Sequence, residues 1–429
     1  MVRATSTVAG LALASSSVAL SLDVNDLDSV KAAAAEIAKG IYIYHDPAAT
    51  TGHFRQPQPW FWWLSGSGWN GLMDYTVYTG DTTYQGDLLS AIAQNVGPKY
   101  DFCPPEQANW EANDDQMYWV YNALTALEYD FEPLPCEGSA AGAGGDCASS
   151  WLAISTNAFE QFAARWNNDS ATCGGGLKWQ FNPSANGYTY KNSVTNGGFF
   201  QTAARLARYT GNQTFADWAT RIWDWSTAVG LVRADHRVFD GAGDEDGANC
   251  TSVNDDEWSY NVATYTHGAA HMYAATGGDQ TWEARVQGLV DAAQSRFFGP
   301  ADNATGVMYE QLCEPFSTCN VDQTSFKASL SRWLGKTAVL VPSVRAQVVG
   351  LLEATAVGAA TSCDGHGNAT CGMKWYVGGF DGKSDFGVQL SALEAVTSLL
   401  AATAPPFAVA PNRHKAVVGH RWRIRPSYT

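Results

Sequence analysis

The chain has 429 residues and carries 26 Lys and Arg against 42 Asp and Glu, a net charge of −16 at pH 7. That balance excludes nucleic acid or an anionic lipid surface as the main partner, because binding phosphate requires a basic face. Only 16% of residues are charged, while 17 Trp, 18 Tyr, 18 Phe and 41 Gly are present, which suits an uncharged, hydroxyl-rich, flat-faced ligand such as a sugar.

Residues 1–20 read as a secretory signal. A basic start at Arg3 precedes an apolar or small-residue run from Val8 to Leu20, and Ser17-Val-Ala19 offers a cleavage point. The run is too short for a membrane span. Secretion also suits five Asn-x-Ser/Thr acceptors, at Asn168, Asn212, Asn249, Asn303 and Asn368. Nine cysteines leave at least one thiol free. Spacing suggests Cys313 with Cys319 and Cys363 with Cys371, and less strongly Cys136 with Cys147, as oxidised structural pairs. No Cys or His spacing suggests zinc, and no metal or cofactor is expected.

A 3.6-residue period predicts twelve helices, near 25–45, 61–79, 83–95, 113–129, 149–165, 193–210, 214–228, 258–275, 279–297, 323–336, 342–358 and 386–402. A joint recurs between them: Tyr78-Thr-Gly80-Asp-Thr-Thr-Tyr84, Tyr209-Thr-Gly211-Asn-Gln-Thr-Phe215 and Thr276-Gly-Gly-Asp279-Gln-Thr-Trp282. In each, Gly closes one helix and Asp, Asn or Thr opens the next. Six helix pairs predict an all-α fold closed as an (α/α)6 barrel, with an open solenoid as the alternative. Closure would gather the Gly- and Trp-rich loops at one end. The stretches 137–148 and 240–256 read as loops within a single catalytic domain, 21–405, followed by a basic tail, 406–429.

Residues 110–119 read Trp-Glu-Ala-Asn-Asp-Asp-Gln-Met-Tyr-Trp. Asn113 is the expected N-cap, with Gln116 three residues on, so that Asp114 and Asp115 occupy the first turn. Acids there can simply complement the helix dipole. Flanked by Trp110, Tyr118 and Trp119, however, the pair also suits glycoside hydrolysis, which needs one ionised and one protonated carboxyl. Mutual repulsion and burial among those aromatics would raise one pKa. Trp60-Phe-Trp62-Trp63, Trp69, Trp179 and Trp258-Ser-Tyr260-Asn261 could stack on sugar faces. Trp62 and Trp63 cannot both face the same core, so one should line a cavity. Asp240-Gly-Ala-Gly-Asp244-Glu-Asp246-Gly lacks the oxygen spacing of a calcium loop and reads as a solvated acidic loop or a rim of the site.

These motifs together resemble the mannan endo-1,6-α-mannosidase family, glycoside hydrolase family 76, in its fungal cell-wall branch. The resemblance runs from Leu22 to Leu400 and rests on Asn113-Asp-Asp-Gln-Met-Tyr-Trp119, Gly174-Gly-Gly-Leu-Lys-Trp179, Tyr190-Lys-Asn192 with Thr195-Asn196-Gly197, Trp258-Ser-Tyr-Asn261, and Phe326-Lys327 with Arg332-Trp333. It implies an (α/α)6 barrel, an α-1,6-mannan substrate and retaining chemistry. It makes Asp114 the nucleophile and Asp115 the general acid/base. Trp179, Lys191, Asn192, Asn196, Tyr260 and Asn261 are expected in the sugar cleft, joined by Trp62, Trp63 and Trp119. The fungal branch further implies a cell-wall location and transfer of a mannosyl portion, including GPI-anchor glycan, to a glucan acceptor. Members resemble GPI-anchored proteins, yet His414 to Arg425 is basic, so no anchor is expected here. A secreted monomer is expected. The competing function is a non-catalytic mannan-binding wall scaffold, which would have no need of Asp114 and Asp115 together.

Overall fold

A computed structural model describes residues 20–46, 48, 51–55, 61–107, 109–135, 150–245, 247, 249–299, 305–364 and 369–410. Among them run twelve α-helices: α1 Leu27–Tyr42, α2 Trp62–Thr79, α3 Gln85–Asn95, α4 Asn113–Glu128, α5 Trp151–Asn168, α6 Ser193–Thr210, α7 Gln213–Ala228, α8 Ser259–Ala275, α9 Gln280–Phe297, α10 Phe326–Leu340, α11 Arg345–Thr361 and α12 Phe386–Thr397. Each even-numbered helix packs on the next, and α12 packs back on α2. The ring is closed, so the fold is an (α/α)6 barrel and not an open solenoid. Odd-numbered helices lie outside it: α5 rests on α4 and α6, and α11 on α10 and α12.

Composition decides which helix goes where. Outer helix α1 buries one stripe, Val30, Ala33, Ala34, Ile37, Ala38 and Ile41, at helical spacing. Inner helix α12 is buried along its whole length. Small residues let inner helices approach: a Cβ on Gly66 would meet the Trp119 ring at 2.9 Å. Two of the recurring joints close on a left-handed glycine, Gly80 at φ 78° and Gly211 at φ 69°. At the third, Thr276 ends α8 and Asp279 caps α9, accepting from the Thr281 and Trp282 N–H groups.

Part of the 240–256 stretch is sheet, not loop. Strands β1 Tyr190–Asn192, β2 Gly241–Gly243 and β3 Val253–Asn254 pair antiparallel in that order. Strands of two or three residues are too short to show alternation in a sequence. Glycine is needed at 241, where a Cβ would stand 2.4 Å from the Tyr190 ring. Disulfides join Cys313 to Cys319 and Cys363 to Cys371, as spacing suggested. A third, Cys173–Cys250, spans 77 residues and ties the Gly174–Gly176 turn to this sheet region. Among the described residues Cys103 is the free cysteine. Cys136, Cys147, the 1–19 part of the signal and the tail from 411 lie outside the described residues. Residues 406–410 belong to the packed body and not to a detached tail: Arg208 donates to the Phe407 and Ala408 carbonyls, and the Ala408 N–H to the Glu128 carbonyl.

Candidate active site

The N-terminal ends of the inner helices α2, α4, α8 and α10, with Asn192 just before α6, border a cavity of about 310 Å³. From α2 and the residue before it come Trp63 and Phe61, from α4 Asp114, Asp115 and Tyr118, from α8 Tyr260, and from α10 Phe326. Between helices, Trp110, Trp179, Gln180, Tyr190, Asn192, Asp240 and Asp322 complete the wall. Tyr260 and Phe326 lie face to face, 3.8 Å between ring centres and 7° from parallel, and fix one side. Among the described lining residues there are four aspartates and no Lys or Arg.

The start of α4 differs by one residue from the sequence expectation. Ala112, not Asn113, is the N-cap. Asn113 is occupied across the chain: its N–H donates to the Trp179 carbonyl at 3.0 Å, its amide to the Lys178 carbonyl at 2.9 Å, and Arg165 donates to its oxygen at 2.7 Å. Alanine has no acceptor to offer the helix, so half of the capping box remains: the Asp115 carboxylate accepts the Ala112 N–H at 2.7 Å. That bond anchors Asp115. Asp114 accepts the Asp115 N–H at 3.1 Å and a hydrogen bond from the Asn192 side chain.

Electrostatics separate the two acids. Burial pushes the Asp114 carboxyl up to about 7, against the pull of the helix N–H groups and Asn192. Burial and the charge of Asp114 hold Asp115 well above the carboxylate range, opposed by the Ala112 N–H. Asp114 therefore ionises first and Asp115 keeps its proton. The desolvation is not supplied as the sequence suggested. Trp110 is 82% exposed on the rim and Trp119 is sealed in the core, so of that trio Tyr118 alone is both buried and in the wall.

Of the residues expected in the cleft, Trp63, Trp179, Asn192 and Tyr260 line the cavity with the acid pair. Trp62, Trp119, Lys191, Asn196 and Asn261 do not. Trp62 stacks on Trp119, 5.2 Å between ring centres, and donates its indole N–H to Asn95 at 2.8 Å. Lys191 is fully buried, its ammonium consumed by the carbonyls of Asp169, Thr172 and Gly175 at 2.7–3.1 Å. Asn196 pairs with both backbone groups of Leu177, at 2.8 and 3.0 Å. Lys191 and Asn196 thus hold the segment that presents Trp179. Asn261 donates to Asp240 at 3.2 Å and supports the wall from behind.

Two wall acids were not among the site residues named from the sequence. Asp240 heads the acidic stretch that read as a solvated loop or a rim of the site, and it lines the cavity as the rim reading has it; its carboxylate accepts from the Tyr190 hydroxyl at 2.7 Å and from Asn261, and burial raises its pKa. Asp244, in the same stretch, is buried and paired with Lys178 at 3.0 Å. Asp322 stands just before a predicted helix start, where an acid passes for a cap. The only signal for either was an acidic residue beside a helix or loop boundary, which is common.

With this geometry in view, the pattern of Glycosyl hydrolase family 76 matches residues 29–410. The chain belongs to that family. Mannan endo-1,6-alpha-mannosidase DCW1 of Saccharomyces cerevisiae is 37% identical over 408 residues, covering 93% of this chain and 85% of that one. Mannan endo-1,6-alpha-mannosidase DCW1 of Eremothecium gossypii is 39% identical over 398 residues, covering 90% and 82%. The crystal structure of Dfg5 from Chaetomium thermophilum in complex with glucosamine superposes with a TM-score of 0.81 at 32% identity, covering 91% of this chain and 97% of that one. The family fold extends to an alpha-1,6-mannanase of Salegentibacter sp., solved with alpha-1,6-mannotriose as an inactive variant with two Asp-to-Asn replacements: TM-score 0.66, 18% identity, 86% and 99% coverage.

Proposed function

We propose that this family 76 protein is a retaining glycosidase of α-1,6-linked mannan, with Asp114 as nucleophile and Asp115 as general acid/base. The observation that carries the reading is the pair of adjacent aspartates on the first turn of α4, opening into an aromatic cavity whose described walls hold no cation. The names of the fungal relatives supply the substrate class.

The first step asks the ionised Asp114 to attack the anomeric carbon while Asp115 protonates the leaving oxygen. The Asp115 N–H and the Asn192 amide hold the Asp114 carboxylate, and the Ala112 N–H holds that of Asp115. In the second step Asp115, now a base, takes a proton from the incoming hydroxyl, which attacks the glycosyl–Asp114 ester. Trp63, Trp179 and the Tyr260–Phe326 stack offer flat faces for the rings. When the incoming hydroxyl belongs to a wall glucan instead of water, the same step is transglycosylation, with a mannan or GPI-anchor glycan as donor. Three disulfides and exposed sequons at Asn168, Asn212 and Asn249 support a secreted, wall-facing protein.

The test is NMR of the first-formed product from an α-1,6-mannan oligomer. An α-anomer supports the reading, and a β-anomer overturns retention. No turnover of any α-mannoside, to water or to glucan, would leave the scaffold alternative standing.

A further inference from the structure

Asp322 is a wall residue to which the double displacement gives no task. It precedes a short 3-10 turn, Gln323–Ser325, that leads into α10. In the ring order α2, α4, α6, α8, α10, α12, helix α10 stands opposite α4, so Asp322 faces the acid pair from the far wall. It is near enough for its charge to raise both Asp114 and Asp115.

The side chain is not spent on the turn that it begins. The turn uses the Asp322 carbonyl, which accepts the Ser325 N–H at 3.0 Å and the Ser325 hydroxyl at 2.7 Å, and the carboxylate caps nothing. The Trp63 side chain hydrogen-bonds the carboxylate, so its plane is set by a residue that itself lines the cavity. The other oxygen, Oδ1, is buried and has no partner. A carboxylate oxygen only accepts, and leaving a buried acceptor unpaired is unfavourable. Asp240, by contrast, is filled by Tyr190 and Asn261. Of the two extra acids, Asp322 is the one with capacity left for a ligand, and what it lacks is an O–H donor.

We propose that Asp322 is a specificity-determining residue: Oδ1 accepts a ring hydroxyl of the mannose unit bound at the acid pair, while Trp63 orients the carboxylate. This rests on the α-1,6-mannan reading above. Selection follows from geometry, because a fixed acceptor rewards the sugar whose hydroxyl points at it and leaves an empty buried oxygen with one whose hydroxyl does not.

The experiment is calorimetric titration of α-1,6-mannotriose, and of its monodeoxy analogues, into the Asp115→Asn protein, which spares the sugar during the titration, and into the same protein with Asp322→Ala or Asp322→Asn added. The Asp115→Asn protein should bind the trisaccharide, and one deoxy position should weaken it by roughly 10- to 100-fold, the worth of a hydrogen bond to a charged group. Asp322→Ala should lose a similar factor on the parent sugar, and removal of that same hydroxyl should then change affinity by less than about 3-fold. A variant that merely disturbed the wall would keep the deoxy penalty. Asp322→Asn preserves shape and serves if the alanine protein is unstable; it should weaken the parent sugar and shrink the same penalty. Parent-sugar binding unchanged in both variants, or a deoxy penalty that persists in them, overturns the assignment. Failure of the Asp115→Asn protein to bind α-1,6-mannotriose would instead sink the substrate reading on which it rests.

Discussion

The barrel buries carboxylates in two places, the cavity at the N-terminal ends of its inner helices and the closed end toward their C-termini, and the cavity and the closed end treat them in opposite ways. At the closed end Glu128 of α4 meets Arg205 of α6 at 2.8 Å, Glu394 of α12 meets Arg332 of α10 at 2.6 Å, and Asp74 of α2 meets Lys336 of α10 at 2.8 Å. Each pair ties one inner helix to another. At the open end Asp114, Asp115, Asp240 and Asp322 share a cavity with no cation in its described wall. Burial alone would raise Glu128, but Arg205 and Lys336 bring it below its ordinary value, whereas Asp114 and Asp115 stay raised. Glu394 stays raised beside Arg332, with burial and Asp74 against it, so what separates the two sets is the cationic partner that ties helices together and not the direction of the pKa alone.

The contrast breaks first, if it is wrong, at Asp114. Asp114→Ala should cut turnover on an α-1,6-mannan oligomer on the order of 10⁴-fold, as loss of a nucleophile does, with the melting temperature unchanged or raised. Ordinary activity would refute the role. At the other end Arg205→Met should leave Glu128 buried and unpaired and destabilise the protein by about 3–5 kcal/mol in denaturant titration. The folded fraction should keep its kcat; a stable protein with lost kcat would make the closed end part of the site.

The pH profile sharpens the comparison. The proposed double displacement needs Asp114 ionised and Asp115 protonated, so kcat/KM should be bell-shaped, with its alkaline limb set by loss of the Asp115 proton. Asp115→Asn should remove that limb for aryl mannosides with good leaving groups, which need no proton. A surviving limb would show that another group is the acid.

The smallest effects are in stability. Asp114 titrates near 3.8 when unfolded and about 7 when folded, so the folded state holds the extra proton between those values. Its contribution is full at low pH and is lost as pH rises through that window. Asp114→Asn should therefore gain melting temperature over the wild type as pH climbs from about 4 to about 7. His267 and His271 at the closed end are held far below 6.5 by burial, so they work in the other direction. Their unfolded forms take up protons as pH falls below about 6.5, and stability falls with it. Replacing both by Gln should flatten the acid side alone. A change on the alkaline side would mean that the two ends are not separate.

The twelve helices, their even count, the recurring joints, two disulfides and the acid pair on a first turn could be read from the chain itself. Each is local: a helix stripe, a Gly cap or a six-residue cysteine spacing is complete within a few residues. Tertiary structure decided what no local pattern carries. Trp62 and Trp63 are neighbours with the same composition around them, yet one stacks on Trp119 and the other borders the cavity, because successive side chains diverge by about 100° on a helix. Lys191 and Asn192 divide in the same way across β1, the lysine into a cage of carbonyls and the asparagine onto Asp114. Asp322 is 207 residues from Asp115, and only closure of the ring sets it opposite the pair. Sequence determined the parts with local causes; the barrel decided which side chains share a cavity, because that depends on contacts between helices far apart in the chain.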